Sequence, residues 1–430
     1  MRVARALVAG GLAVASAAVG IHCSFGGGDF ACNVSADCSG GECDPTRNVC
    51  AFDDNGCPSG FRYGEHSGSS SNLCTAPSPD APPDAMIDAP WGPEAGPEVG
   101  QYCLGDVSFE QFCFDTMPTG STTLEGTIDT TPNASGSLCR TDGLNTTRFC
   151  VITADSILVS SGMTVTVVGS RPLVLAAVSS ISIDGTLDAS SHGAQAGPGH
   201  LDNCTGSSAA NNGGGGAGGT FGGKGGDGGN DPIHLGHGKA ASVSINTNNP
   251  TTLSGGCDGL GGSYPVFGPA GAGGYAGGGV YLVTPGRIDV AGTIDASGAG
   301  GGGGSMTTGA GGGGGGSGGM VVVDGVMVQL EGSIFANGGG GGGGGGSTMA
   351  GAAGMDPTAA NTNAMHGAGG TMYGGDGGDG TSGGDHDADN GHDGSNMQTT
   401  IGGGGGGGGG PGLVVFRNDT PTGGTYSPHF

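Results

Sequence analysis

The residues with the plainest chemistry in this chain are its 13 cysteines. A thiol in an oxidising compartment bridges another thiol, and one left over from such pairing is free for modification. Cys32, Cys38, Cys43, Cys50, Cys57 and Cys74 form a close-spaced set of six, and Cys103, Cys113, Cys139, Cys150, Cys204 and Cys257 form a second, wider-spaced six. Two even sets read as disulfides with the pairing left open. Zinc, the rival for close cysteines, fits poorly, because there is no Cys-x-x-Cys pair and no partnering histidine spacing. Cys23 is left over, directly after an apolar leader, where a lipidated cysteine would stand.

A second cluster carries carboxylates. Asp376 and Asp379 alternate with glycine pairs, and Asp385, Asp387 and Asp389 follow, interleaved with His386 and His392. Alternating aspartates offer hard oxygen ligands, and glycine permits the sharp turns of a calcium loop, so Ca2+ is the one cofactor suggested. Residues 374–380 resemble a single Gly-Gly-x-Gly-x-Asp calcium-binding repeat, with Thr381 where an apolar residue belongs. A solvated acidic loop is the competing reading, and the histidines would favour a transition metal.

Catalytic patterns fare worse. Gly315-Gly316-Ser317-Gly318-Gly319 satisfies the nucleophile-elbow spacing, but inside a glycine run that match is nearly free. Lys239 is followed by alanine, which breaks the phosphate-loop pattern. Asp188 and Asp295 recur at one repeat position, yet Phe335 occupies the next copy, and Arg171 and Arg287 read as solvated turn residues. No catalytic residue is expected.

Acids outnumber bases 37 to 11, and Lys224 and Lys239 are the only lysines. Nucleic-acid partners need clustered bases to release counterions, so they are excluded. A neutral glycan or a cell-surface protein remains as the expected partner.

The elements that must position these residues differ along the chain. Residues 1–22, basic and then uncharged and apolar, predict a signal peptide. Residues 23–74 predict a small disulfide-rich module that its bridges must hold together. Residues 75–100 hold seven of the 22 prolines, with acids and no base, and predict an extended linker. Asp80-Ala81-Pro82 and Asp88-Ala89-Pro90, with the leader and Cys-rich module, resemble the surface lipoproteins of gliding, predatory Gram-negative bacteria. That resemblance covers about the first hundred residues. It implies an exported protein, extracellular or lipid-anchored through Cys23 to the outer membrane, and brings no active site.

Residues 101–430 carry a repeat. Ile181 to Ser190 matches Ile288 to Ser297 and, more loosely, Val328 to Asn337, while Gly126 to Asp129 is a fragment of it. Each copy alternates apolar and polar residues, breaks at glycine, and alternates again, which predicts two short strands and a bend. A further strand precedes each copy, and Leu413 to Phe416 repeats that strand without a partner. Val151 to Leu173, Val159 to Ile183 and Val165 to Leu187 predict a rung of 22 to 24 residues. The expected fold is all-β, a right-handed parallel β-helix or solenoid with long Gly-rich loops; a two-sheet sandwich is the alternative. The 107 glycines concentrate in runs that border strands. Flexible loops are the default for such runs. The sharper reading is a set of left-handed threefold helices packed side by side, which resembles the bundled polyglycine helices of certain phage tail-tip adhesins. Together these features predict a structural or adhesin-like surface protein, with a glycan-binding or glycan-cleaving β-helix enzyme as the rival.

Overall fold

The computed structural model describes residues 101–428 except 203, 205–206, 234–235, 241, 243–249, 265–268, 307–308, 359–361, 385, 398–399 and 422, and before them 38, 41–44, 49–54, 57, 61–64 and 74–75. The leader 1–22, Cys23, Cys32, Asp385 and the linker beyond 75 lie outside the described residues. The chain forms two compact units, Met1–Gly96 and Pro97–Phe430. Among the described residues there is no α-helix.

The first unit contains a three-stranded antiparallel sheet, β1 (Glu42–Asp44), β2 (Val49–Asp53) and β3 (Phe61–Tyr63), in that order. Among its described residues five apolar ones are buried, and three of these are cysteines: Cys38, Cys50 and Cys57 beside Ala51 and Tyr63. Disulfides Cys38–Cys50 and Cys57–Cys74 staple it. Closing a loop of the latter size is worth about 3 kcal/mol, which a core this small cannot supply by burial.

The second unit begins with an antiparallel hairpin of β4 (Tyr102–Gly105) and β5 (Gln111–Phe114). Short strands β6 (Ser121–Thr123) and β7 (Thr127–Asp129) follow. Four long-short pairs come next: β8 (Cys150–Val159) with β9 (Thr164–Val168), β10 (Leu173–Ile183) with β11 (Thr186–Asp188), β12 (Gly279–Val290) with β13 (Thr293–Asp295), and β14 (Met320–Leu330) with β15 (Ser333–Phe335). After a two-strand hairpin of β16 (Asn396–Met397) and β17 (Thr400–Ile401), β18 (Leu413–Phe416) and β19 (Thr425–Ser427) close the unit. Two six-stranded sheets result, ordered β18-β14-β12-β10-β8-β6 and β19-β15-β13-β11-β9-β7, and every pairing within them is parallel.

The repeat is this stack. Ile181 pairs with Ile288 and Ile288 with Val328, while Leu187 pairs with Ile294 and Ile294 with Ile334. The glycine in each copy sits where successive bends nest. A Cβ at Gly292 would meet the Gly185 carbonyl oxygen at 1.8 Å, and one at Gly332 would meet that of Gly292 at 1.8 Å.

Three expectations change. Leu413–Phe416 does have a partner strand, β19, which pairs with β15 through Tyr426 opposite Ile334. Val151 pairs with Val174 rather than Leu173. The reason is burial: Leu173, Leu175 and Ala177 face the core between the sheets, while Val174 and Ala176 pack under the hairpin against Phe112 and Tyr281. A strand buried on both faces shows no alternation from which to set its register. Finally, the sheets are parallel stacks and not a closed solenoid, because the chain leaves the stack after β11, β13 and β15 and enters the glycine segments.

Among the described residues of those segments the glycine runs are mostly buried, and the expected long Gly-rich loops pack there as a backbone lattice. In the run 309–319 every third amide serves the same neighbour. Gly312, Gly315 and Gly318 donate to Gly404, Gly407 and Gly410, while Gly313, Gly316 and Gly319 donate to Gly302, Ala299 and Ala296. Gly311, Gly314 and Ser317 donate to Ser263, Leu260 and Cys257. Its carbonyls accept from three further segments, through Gly216 and Gly219, Gly271 to Gly277, and Gly339 and Gly342. A period of three is that of an extended threefold helix with a rise of about 3.1 Å and no internal hydrogen bond. Each buried helix can therefore spend its amides on three neighbours and its carbonyls on three others. Side chains are excluded by the spacing: a Cβ at Gly315 would lie 2.1 Å from the Gly339 carbonyl oxygen.

Candidate functional site

The described cysteines are bridged. Cys103–Cys113, Cys139–Cys150 and Cys204–Cys257 pair the whole second set, and Cys43 is also disulfide-bonded. This density of bridges belongs to an exported protein. Among the described residues, no helix is long and apolar enough to cross a membrane.

Of the aspartates singled out for Ca2+, the described ones, Asp376, Asp379, Asp387 and Asp389, sit on the edge of the glycine lattice. In the run 374–380, Gly374, Gly377 and Gly380 abut the run 338–346, and Gly375 and Gly378 abut the run 386–394. The third face belongs to Asp376 and Asp379, whose Oδ1 atoms accept the amides of Gly369 at 2.7 Å and His366 at 2.8 Å. The run 386–394 obeys the same rule. Ala388, Gly391 and Gly394 form one face, and Asn390 and Asp393 accept the amides of Asp227 and Asn230 at 2.7 Å. His386, Asp389 and His392 occupy the exposed face, and Asp387 is exposed beside its bridge to Lys224. Thus Gly-Gly-Asp marks a lattice edge at which a carboxylate replaces the missing neighbour. Asp376, Asp379, Asp387 and Asp389 do not converge on one point. A period of three in the aspartates was the available signal.

A separate acid–base arrangement lies where β11 and β13 leave the sheet. Asp188 and Asp295 are register partners on adjacent strands, about 4.8 Å apart in backbone. Ser190 Oγ donates to Asp188 Oδ1 at 2.6 Å and lies 2.9 Å from His192 Nε2. His192 Nε2 is 3.3 Å from Asp188 Oδ2, and its Nδ1 is 3.5 Å from Asp356 Oδ2. Asp356 also accepts the Gly300 amide at 2.7 Å, tying the cluster to the lattice. Burial, reinforced by the charge of Asp188, pushes the Asp295 carboxyl up to about 7. Burial lowers the His192 imidazole, but Asp188 and then Asp356 outweigh it and the pKa is raised. A hydroxyl, an imidazole and a carboxylate in contact resemble a relay for acyl transfer. Here, however, Ser190 is 4% exposed and committed to Asp188, so a substrate carbonyl has no approach to it.

The lattice also has a far end, away from the strands. The antiparallel bonding of Gly228 with Gly238, of 256–262 with 271–277, of 296–302 with 313–319, of 340–346 with 349–355 and of 367–370 with 374–377 puts their connecting turns on that side. Ile233, Tyr264, Met306, Met349 and Met372, one from each of five such turns, are all more than half exposed. Two of the turns are joined by a 2.8 Å hydrogen bond between the Thr348 and Thr371 hydroxyls. Comparison with family models, curated proteins and solved structures returned no match for this chain.

Proposed function

We propose that this is a structural or adhesin-like surface protein in which the glycine lattice is a rigid mast for apolar turns. One observation carries the reading: five far-end turns each present one large apolar side chain to solvent. Isolated exposed apolar residues need no explanation, but their recurrence at one end of the fold suggests a contact surface. A lattice without side chains inside has little freedom to rearrange, so the turns are held in fixed relation for a glycan or cell-surface protein. Residues 1–22 would direct export, and Cys23 would carry a lipid on the outer membrane with residues 75–100 as a spacer. The long-short strand pairs would wind as a right-handed coil, the hand taken by nearly all parallel crossovers.

The test is binding of the full mature chain to a glycan array and to whole cells. A Met306→Ser, Met349→Ser, Met372→Ser variant should melt as the parent does and lose binding. Undiminished binding by that variant would sink the reading. A second reading, glycan cleavage, is favoured by the carboxyls of Asp188 and Asp295 side by side on adjacent strands, since a pair of carboxyl groups is the glycosidase requirement. Release of reducing ends from a polysaccharide by the parent and not by Asp295→Asn would establish it in place of the first.

A further inference from the structure

We infer that His200, Asp202 and Asp258 form a site for one divalent transition-metal ion, of which Zn2+ is the best match. The chain holds 10 histidines and 37 acids. Among the described residues these three are the one group of His, Cys, Asp and Glu whose ligand atoms all lie within 4.8 Å of one another. None of them belongs to the aspartate-rich stretch that suggested a metal in the sequence.

Backbone and disulfide together fix the geometry. Leu201 donates its amide to Gly256 at 2.8 Å and accepts that of Asp258 at 3.0 Å, which lays the two segments side by side in parallel. Cys204–Cys257 locks the pair covalently, two residues from Asp202 and one from Asp258. His200 and Asp202 are two apart in extended chain and so share a side. His200 Nδ1 lies 3.1 Å from Asp258 Oδ1 and 3.8 Å from Asp202 Oδ1. Ligand atoms around a tetrahedral Zn2+ with bonds of about 2.0–2.1 Å are about 3.3 Å apart; the two histidine separations bracket that value, and the two carboxylates lie within 4.8 Å of each other.

The surroundings suit the ion. Asp258 is held by the Ala276 amide at 2.8 Å, the kind of outer contact that orients a ligating carboxylate. The Tyr275 ring packs edge-on against His200 with centroids 5.6 Å apart. His200 and Asp258 are mostly buried and Asp202 sits on the exposed rim, so the ion would enter from the Asp202 side. Binding would replace the proton on Nδ1, which leaves to solvent, and three protein ligands leave a position for water. An imidazole nitrogen with two carboxylates selects against Ca2+, which takes six to eight oxygens. The ion would clip the segment leaving β11 to the segment that leads into the lattice before β12.

Isothermal titration of the full mature chain with ZnCl2, with and without a large excess of CaCl2, tests this. One Zn2+ per chain should bind at neutral pH, unaffected by Ca2+. Affinity should fall at least a hundredfold in His200→Ala and at least tenfold in Asp202→Asn, whose side chain is exposed. X-ray absorption should report one nitrogen and two carboxylate ligands from the protein. No uptake by the parent, or equal uptake by parent and Asp202→Asn, would overturn the inference.

Discussion

The strand stack and the glycine lattice share one chain and obey opposite rules. In the stack, Leu187, Ile294 and Ile334 are fully buried on adjacent strands, and stability comes from apolar area removed from water. In the lattice around Gly312 to Gly319 there is almost no side chain to bury, and each backbone amide donates to one of three neighbouring runs. Leaving such groups buried and unpaired costs roughly 1–3 kcal/mol each, so the lattice forms as a whole or not at all. Dense packing therefore does not require a hydrophobic core; it requires that something fill the space and satisfy the backbone.

The sharpest way to break the comparison is to put a side chain in the lattice. Gly315→Val should abolish folding of the second unit, because even its Cβ falls 2.1 Å from a backbone oxygen that neighbouring helices hold in place. A soluble variant with a cooperative melt near the parent's would refute the lattice. The matching change in the stack, Ile294→Ala, removes volume and should cost about 2–5 kcal/mol while the fold survives; a denaturant melt measures it. At the lattice edge the loss is smaller. Asp376→Ala strands the Gly369 amide, which should cost about 1–2 kcal/mol and speed exchange of that amide, whereas Asp376→Asn should restore most of it. Equal stability of Asp376→Ala and parent would show that the carboxylates are decoration.

The last prediction concerns pH at the junction of the two regions. Asp295 has a folded pKa raised to about 7 from an ordinary value of 3.8, so the folded state holds a proton that the unfolded chain has released. Its contribution is complete below the unfolded value and is lost as pH rises from about 4 to 7. His192, also raised, works in the same direction at the upper end of that window. The melting temperature should decline across this range, and Asp295→Asn should flatten the decline. An unchanged slope in that variant would place the titrating group elsewhere.

How much was legible follows from what each residue type can encode. The bends at Gly185, Gly292 and Gly332 and the pairing of Ile181 with Ile288 were readable, because alternation on a half-buried strand names its inner face. Val151 was misplaced by one residue, since a strand buried on both faces names neither. Asp376 and Asp379 looked like ligands because an aspartate that caps a neighbour's amide and one that binds a cation have the same spacing. His200, Asp202 and Asp258 were invisible, being joined across more than fifty residues by a disulfide whose pairing cysteine parity alone does not specify.

By itself, the sequence determined an even set of bridging cysteines in the second unit, a strand-bend-strand repeat, and the absence of basic clusters. The tertiary structure alone decided what the glycines do. A glycine run carries no side chain to name its partner, and every backbone hydrogen bond it could make is equivalent. Which run lies against which is fixed instead by the strands that anchor the bases of many of them, in the order β10, β12, β14 and β18.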